Sequence, residues 1–475
     1  MQRRKFLRGG MLGLGGLFAS RGLGAQPRQT HEDRDNFNAF LQERVAQSGL
    51  RGSVFDLQTE ALPKVRIALI GLGNRGSSLI DMLEWLIGEG HAEITAISDI
   101  NPKKIEQAQA RIGEFQRTAP QVFTGDDNAW KAACHTDHAD LAIICTPWEW
   151  HTPMACHAMR QGLHAASEVP IATTYQEAID LVQVAEETQR HCIMLENCCY
   201  NGEELWIMQM IKEGVFGTLT HAECAYLHDL RVMMLDPTYY EDRWRLKHHL
   251  YRNGNLYTTH GLGPVSMYFD ILRGDTLSHL VSMSSKEAAL SEALAETEEA
   301  ALQDMAQRVK CGDVNTTLIR TVNGKSIMLQ FDTHSGRPYS RLDKVVGSKA
   351  AHYGYPSRLY VDHGPSWGHS WLDDAETAEM RDRYAHPLWT KLQALAADHK
   401  QGHGGMDFVM MFRLIRCLNQ GLPLDLNVYD GALWSLVGIL GEESVSRGSV
   451  RIDVPDLTGG KWRNAVPHPV HRDIA

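Results

Sequence analysis

Arg66-Ile67-Ala68-Leu69-Ile70-Gly71-Leu72-Gly73-Asn74-Arg75-Gly76 is the stretch on which the fold turns. Its apolar run has the length of a buried parallel strand, it ends directly in Gly71-x-Gly73-x-x-Gly76, and from Ser77 to Ile87 the apolar spacing becomes helical. In such a unit one glycine makes the turn, one lets the backbone meet a pyrophosphate, and one lets the helix pack closely on the strand. Helix-terminal N–H groups then face the phosphates. A second apolar strand, 93–98, ends at Asp99, 23 residues after Gly76, where a carboxylate accepts hydrogen bonds from an adenosine ribose and repels a 2'-phosphate. The expected cofactor is NAD rather than NADP, with Asn74 and Arg75 at the phosphates. An arginine in that place weakens the preference.

Outward from this unit the pattern alternates: strand 65–70, helix 75–88, strand 93–98, helix 102–117, strand 121–124, a short helix near 127–133 and strand 141–145. That is a doubly wound parallel sheet. The last strand runs into Thr146-Pro147-Trp148-Glu149-Trp150-His151 at the carboxyl edge, where open α/β sheets bind ligands. These side chains are read as lining the nicotinamide half of the cofactor; the alternative is that Trp148 and Trp150 pack an interface. Helix 152–161, a strand closing at Glu168-Val169-Pro170, helix 174–189 and strand 191–196 complete a domain over 63–198.

After Asn197 the character changes. Helix 203–213 precedes an alternating, half-exposed strand over 218–228, a basic and aromatic stretch over 242–249, Tyr257-Thr258-Thr259-His260-Gly261, and helix 262–272. Residues 286–308 read as one solvated helix. Strands 314–321 and 325–333 join across Asn323-Gly324, a hairpin signal. Strands near 342–347 and 358–362 and helices 388–399, 405–420 and 428–446 follow. The fold class expected is α/β: an N-terminal Rossmann domain plus an α+β domain, 199–475, with a large open, mostly antiparallel sheet.

Length and charge bound the rest. A chain of 475 residues is too long for one ordinary core. The net charge is −11 although the first 25 residues hold Arg3, Arg4, Lys5, Arg8 and Arg21 and no acid, so the body is strongly acidic and nucleic acid is excluded as a partner. Arg3-Arg4-Lys5-Phe6-Leu7-Arg8 before a glycine-rich, mildly apolar stretch reads as a twin-arginine export signal over 1–25, implying the twin-arginine translocon as a partner and a periplasmic or secreted protein. The apolar run is shorter than the ~20 residues of a membrane span, so no stable membrane anchor is expected. Residues 26–62 are polar and read as a linker or surface arm with one helix over 35–46. Nine scattered cysteines read as buried free thiols of a protein folded before export. With no CxxC or HExxH pattern, no metal is expected. Homo-oligomerisation stays open.

The glycine fingerprint, Thr146-Pro147 followed by His151, and Glu168-Val169-Pro170 resemble the glucose-fructose oxidoreductase and inositol dehydrogenase superfamily, whose relatives carry Glu-Lys-Pro at the last of these. More narrowly, Trp148-Glu149-Trp150-His151, Glu196-Asn197, Arg243-Trp244-Arg245, Tyr257-Thr258-Thr259-His260 and Arg337-Pro338-Tyr339 resemble the exported NAD-dependent glycosidases of glycosyl hydrolase family 109. The resemblance runs from about Val65 to the C-terminus. It implies cleavage of terminal alpha-N-acetylgalactosamine from a small-molecule or glycan substrate, with NAD held by Asn74, Arg75, Asp99, Trp148 to His151, Glu168, Val169 and Asn197, and the sugar by Tyr226, Arg245, Tyr257, Thr258, Thr259, His260 and Tyr339. Bland alternatives stand beside these: Arg245 pairing with a surface acid, Tyr226 facing a strand's core, Tyr339 ending a loop. The implied route is oxidation at C3, loss of the C2 proton, elimination at C1, addition of water and return of the hydride, with no net redox. Val169 cannot move a proton, which makes His260 the first candidate base, Tyr226 or Tyr339 its partner, and His228 a fallback. The rival readings are an exported NAD(P)-dependent sugar oxidoreductase and a non-catalytic sugar-binding protein.

Overall fold

The computed structural model describes residues 31–362, 368–399 and 403–474. The export signal expected over 1–25 lies outside them. The first sheet contains β1 (Val65–Ile70), β2 (Ala92–Ser98), β3 (Gln121–Phe123), β4 (Leu141–Ile144), β5 (His164–Ser167) and β6 (Cys192–Met194), all parallel in the order β3-β2-β1-β4-β5-β6. Strands β1 and β4 are almost wholly buried because helices cover both faces, which is why they read as continuous apolar runs. The order reverses between β1 and β4, and that switch point opens the ligand crevice.

Helix Asn74–Gly88 buries Leu79, Ile80, Met82, Leu83 and Leu86, one stripe at helical spacing. Asn101 caps Pro102–Gly113, and a Thr174/Glu177 capping box starts Tyr175–Thr188.

The second sheet has eight strands: β7 (Leu219–Leu227), β8 (Leu277–Ser284), β9 (Asn315–Thr321), β10 (Ser326–Asp332), β11 (Lys344–Gly347), β12 (Ala350–Tyr353), β13 (Arg358–Val361) and β14 (Ile452–Asp453), in the order β13-β12-β11-β7-β10-β9-β8-β14. All pairs are antiparallel except β7 with β10. Gly324, at φ +89, turns the β9–β10 hairpin. One face is covered by helices Gly202–Lys212, Thr259–Tyr268 and Val428–Ser446; the other leaves Met283 and Leu318 exposed. Val428–Ser446 lies between β8 and the first domain, and Met406–Gln420 packs on β1 and on Asn74–Gly88, so the end of the chain returns to the nucleotide sheet.

Several elements differ from the sequence reading. Residues 286–308 form two short helices, Ala289–Ala295 and Ala300–Ala306, which bury Leu290, Leu294 and Leu302. β8, β12 and β14 and helices Trp244–Tyr251 and Asp374–Arg383 were not anticipated. The described part of 26–62 is docked rather than a free arm. Helix His31–Ser48 buries Phe37, Leu41 and Val45 against Tyr175–Thr188 and β14, and the Glu186 carboxylate accepts the backbone N–H groups of Arg51 and Gly52. Its mostly polar composition hid a narrow apolar face. All nine cysteines are free thiols, and among the described residues no helix is long and apolar enough to cross a membrane.

Candidate active site

A cavity of about 570 Å³ runs from the glycine loop to the edge of the second sheet. Each glycine of the loop has a separate physical reason. Gly71 has φ +86, and a Cβ on it would lie 2.8 Å from the Cys145 carbonyl. A Cβ on Gly76 would lie 2.0 Å from the Gly71 oxygen, which is the close packing of helix on strand. Gly73 is different: its φ is −69, and the nearest atom to an added Cβ is Lys104 Nζ at 3.7 Å. The protein itself does not need a glycine there. Helix Asn74–Gly88 also begins at Gly73 with no side-chain cap, so its first N–H groups are left for a ligand. Open space over Gly73 and an uncapped helix start together fit a dinucleotide pyrophosphate. Asp99 lines the cavity too, with its carboxylate accepting the N–H groups of Leu72 and Asn101.

The neighbouring polar residues are less free than the sequence suggests. The Asn74 amide donates to the Tyr239 carbonyl. Arg75 is paired with Glu168 at 2.9 Å and with Asp407 at 2.8 Å, so its charge is neutralised by two carboxylates instead of standing open to phosphate. Asp407 also accepts from Asn197 Nδ2 at 2.6 Å and lies 2.9 Å from His403 Nδ1. Burial opposes its charge, but Arg75 and His403 outweigh this and hold the carboxyl well below its ordinary value. The His151 ring nitrogens sit 2.7 and 2.8 Å from the carbonyl oxygens of Pro170 and Thr146, so His151 ties two loops together at the cavity wall. Glu149 is exposed and pairs with His248. Trp150 and Val169 line the wall.

At the far end, Trp148 is buried beside Trp244, His248 and Tyr257, in contact with the second domain as well as lining the cavity. Arg245 stands among the rings of Tyr257, Trp148, Tyr240 and Tyr226, 4.9 to 6.0 Å from their centroids. Its Nη1 donates to the Tyr240 hydroxyl; its Nε and Nη2 are buried without a protein partner. It does not pair with a surface acid. The Tyr226 and Tyr257 rings lie 4.6 Å apart, and burial pushes both phenols above their ordinary pKa. The Tyr226 hydroxyl is 3.1 Å from His228 Nδ1.

His260 Nδ1 lies 2.7 and 3.0 Å from the two oxygens of the fully buried Glu196, while Nε2 is 3.5 Å from the Tyr257 hydroxyl. Burial raises the Glu196 carboxyl, but the adjacent His260 outweighs it, and the group stays below its ordinary value.

Thr258, Thr259 and Gly76 do not line the cavity, and neither does Tyr339. Thr258 donates to the Trp434 carbonyl, and Thr259 is buried at a helix start with its hydroxyl unpartnered. Glu196 and Asp407 are the residues that sequence reasoning missed as site groups. Glu196 carried a readable signal, since it follows β6 at the carboxyl edge. Asp407 carried only that of an acid inside an apolar helix, more than three hundred residues from Arg75.

This fold and cavity define a two-domain protein in which an NAD-binding Rossmann sheet faces an aromatic, basic pocket on an open sheet. Residues 65–196 match the oxidoreductase family NAD-binding Rossmann fold, and residues 200–464 match the glycosyl hydrolase 109 C-terminal domain. The chain is 44% identical over 418 residues to a glycosyl hydrolase family 109 protein of a Shewanella species, covering 87% of this chain and 90% of that one. It is 42% identical over 420 residues to the alpha-N-acetylgalactosaminidase of Shewanella oneidensis, covering 87% and 90%. The chain belongs to glycosyl hydrolase family 109. Similar solved structures include a levoglucosan dehydrogenase in complex with NADH and levoglucosan (TM-score 0.61, 16% identity, 83% of this chain and 100% of that one) and an NAD binding oxidoreductase from Klebsiella pneumoniae (0.62, 16%, 83% and 100%); these share the fold.

Proposed function

We propose that this protein is an exported glycosidase that releases terminal alpha-N-acetylgalactosamine by oxidation, elimination, addition and reduction, with no net redox. The observation that carries the reading is a single cavity joining the glycine loop to a carboxylate-backed His260 and to Arg245, whose Nε and Nη2 have no protein partner, with Val169 where the superfamily's lysine would stand. Bound NAD supplies reversible hydride acceptance at a sugar carbon, which acidifies the neighbouring C–H.

The protein's groups do the rest. Glu196 fixes the His260 ring through Nδ1 and leaves Nε2 to take the C2 proton. Tyr226 and Tyr257, kept protonated by burial, donate to sugar oxygens. Arg245 offers Nε and Nη2 to an acceptor on the sugar. Asp407 and Glu168 hold Arg75 beneath the cofactor loop.

The test follows the C2 hydrogen, which a paired-carboxylate glycosidase never touches. Turnover of an alpha-N-acetylgalactosaminide in deuterium oxide is expected to place deuterium at C2 of the released sugar. A C2-deuterated substrate, expected to react more slowly, covers a base shielded from solvent. His260→Ala is expected to lower turnover and C2 exchange together by about 10²-fold or more. Bond cleavage with the C2 hydrogen retained and no isotope effect would return the site to conventional acid–base hydrolysis. Accumulation of NADH on adding sugar would make it an oxidoreductase instead.

A further inference from the structure

Behind the wall that carries Arg245, three side chains converge that the active cavity does not use. His249 follows Arg245 by one turn of helix Trp244–Tyr251, Cys311 lies in the loop before β9, and His334 lies in the turn after β10. One ring nitrogen of each histidine and the Cys311 sulfur all lie within 4.8 Å of one another. All three residues are fully buried, and none lines the cavity. Their spacing along the chain follows no metal-binding pattern, because the segments meet only where His249 stacks on Phe331 at the end of β10.

Backbone bonds fix the three positions independently of their side chains. The N–H groups of Lys310 and Cys311 both donate to the His249 carbonyl, at 3.0 and 3.2 Å, and those of His334 and Ser335 donate to the Asp332 carboxylate. His249 Nδ1 and His334 Nε2 then face each other at 2.8 Å. A hydrogen bond between them serves two of the four ring nitrogens; His249 Nε2 and His334 Nδ1 are buried with no hydrogen-bond partner. Burial also keeps the His249 imidazole neutral and pushes the Cys311 thiol up to about 12. A core position filled for packing alone would take apolar side chains. Two imidazoles and a thiol sealed from water are instead a donor set for a borderline-soft transition-metal ion, whose charge makes the thiolate stable where burial alone forbids it.

We propose that His249, Cys311 and His334 bind one zinc ion, which staples the helix carrying Arg245 to the second sheet. The imidazoles stay neutral, each keeping its hydrogen on the nitrogen turned away from the ion, and the thiol proton passes to solvent. His334 Nδ1 is 3.4 Å from an Asp313 carboxylate oxygen, the arrangement in which a carboxylate orients a metal-bound imidazole. The Gly254 carbonyl oxygen, 3.8 Å from the Cys311 sulfur, offers a fourth donor to a tetrahedral ion. The ion is structural: it sets where Arg245 stands and takes no part in the reaction, so the site stands or falls apart from the glycosidase reading.

The experiment measures metals by mass spectrometry in the full NAD-loaded protein, produced with zinc and copper both supplied and then dialysed against EDTA to strip ions held at the surface. About one zinc ion per chain is expected. Cys311→Ala and His334→Asn should each lose it and lower the melting temperature, whereas Cys417→Ala, which removes another buried thiol, should keep it. Cobalt in place of zinc should give a thiolate-to-metal absorption band that Cys311→Ala lacks. One copper ion with the same dependence on Cys311 and His334 supports the site with a different ion. Wild-type protein without a stoichiometric transition metal overturns the proposal and leaves a hydrogen-bonded imidazole pair. Metal retained in folded Cys311→Ala and His334→Asn overturns it too, by placing the ion elsewhere. Should those variants fail to fold, the wild-type metal content and the cobalt spectrum still decide.

Discussion

At the residue scale, the three glycines show how one motif mixes structural and ligand-imposed constraints. Gly71 and Gly76 are needed by the chain itself, whereas Gly73 is needed only by what lies against it. Gly73→Val is therefore expected to fold but to purify without NAD, whereas Gly76→Val, with its Cβ driven into the Gly71 oxygen, is expected not to fold; cofactor absorbance and circular dichroism of the two variants check this. Glu196 is a positioning residue. It does not itself line the cavity but orients the His260 ring that does. Glu196→Gln removes the charge and keeps the shape, so kcat should fall by about 10²-fold while KM and NAD content hold, as expected of a group acting through a general base. A rise in KM with kcat unchanged would place Glu196 in ground-state binding instead.

At the scale of elements, Asp407 joins three of them: helix Asn74–Gly88 through Arg75, the end of β6 through Asn197, and its own helix Met406–Gln420. Removing one partner of a buried pair strands the other charge. Asp407→Ala should cost about 3 kcal/mol by denaturant unfolding and loosen the cofactor loop. The sign with pH follows from the depressed pKa. Above the ordinary aspartate value near ~3.9 the native state gains the full contribution, and it is lost as pH falls through the lower folded value. Acid unfolding of the wild type should therefore be steeper than that of Asp407→Asn. The two helices found in place of one over 286–308, and the docked helix His31–Ser48, belong to this scale too. Composition marks both segments as solvated, and only the neighbouring surfaces show which few leucines and aromatics are covered.

At the scale of the molecule, the active cavity belongs to neither sheet alone. The glycine loop and Glu196 come from the first domain, Arg245, Tyr257 and His260 from the second, and the helices at the end of the chain hold the two together. NAD bound across such a cleft would have to be loaded into a folded protein, which is why twin-arginine export, which carries folded proteins, suits this architecture. Replacing Arg3-Arg4 with Lys-Lys is expected to hold active, NAD-loaded protein in the cytoplasm, read by fractionation and activity; normal periplasmic yield would remove that signal. By itself the sequence determined what local spacing can specify: the parallel strands, the glycine turn, the Asn323-Gly324 hairpin and the run of residues around His260. The partners of Arg75, the orphaned donors of Arg245 and the inward turn of Thr258 and Thr259 were decided by the tertiary structure alone. Those contacts link residues far apart in the chain, and a side chain's partner there depends on how two sheets and their helices pack, which no local period encodes.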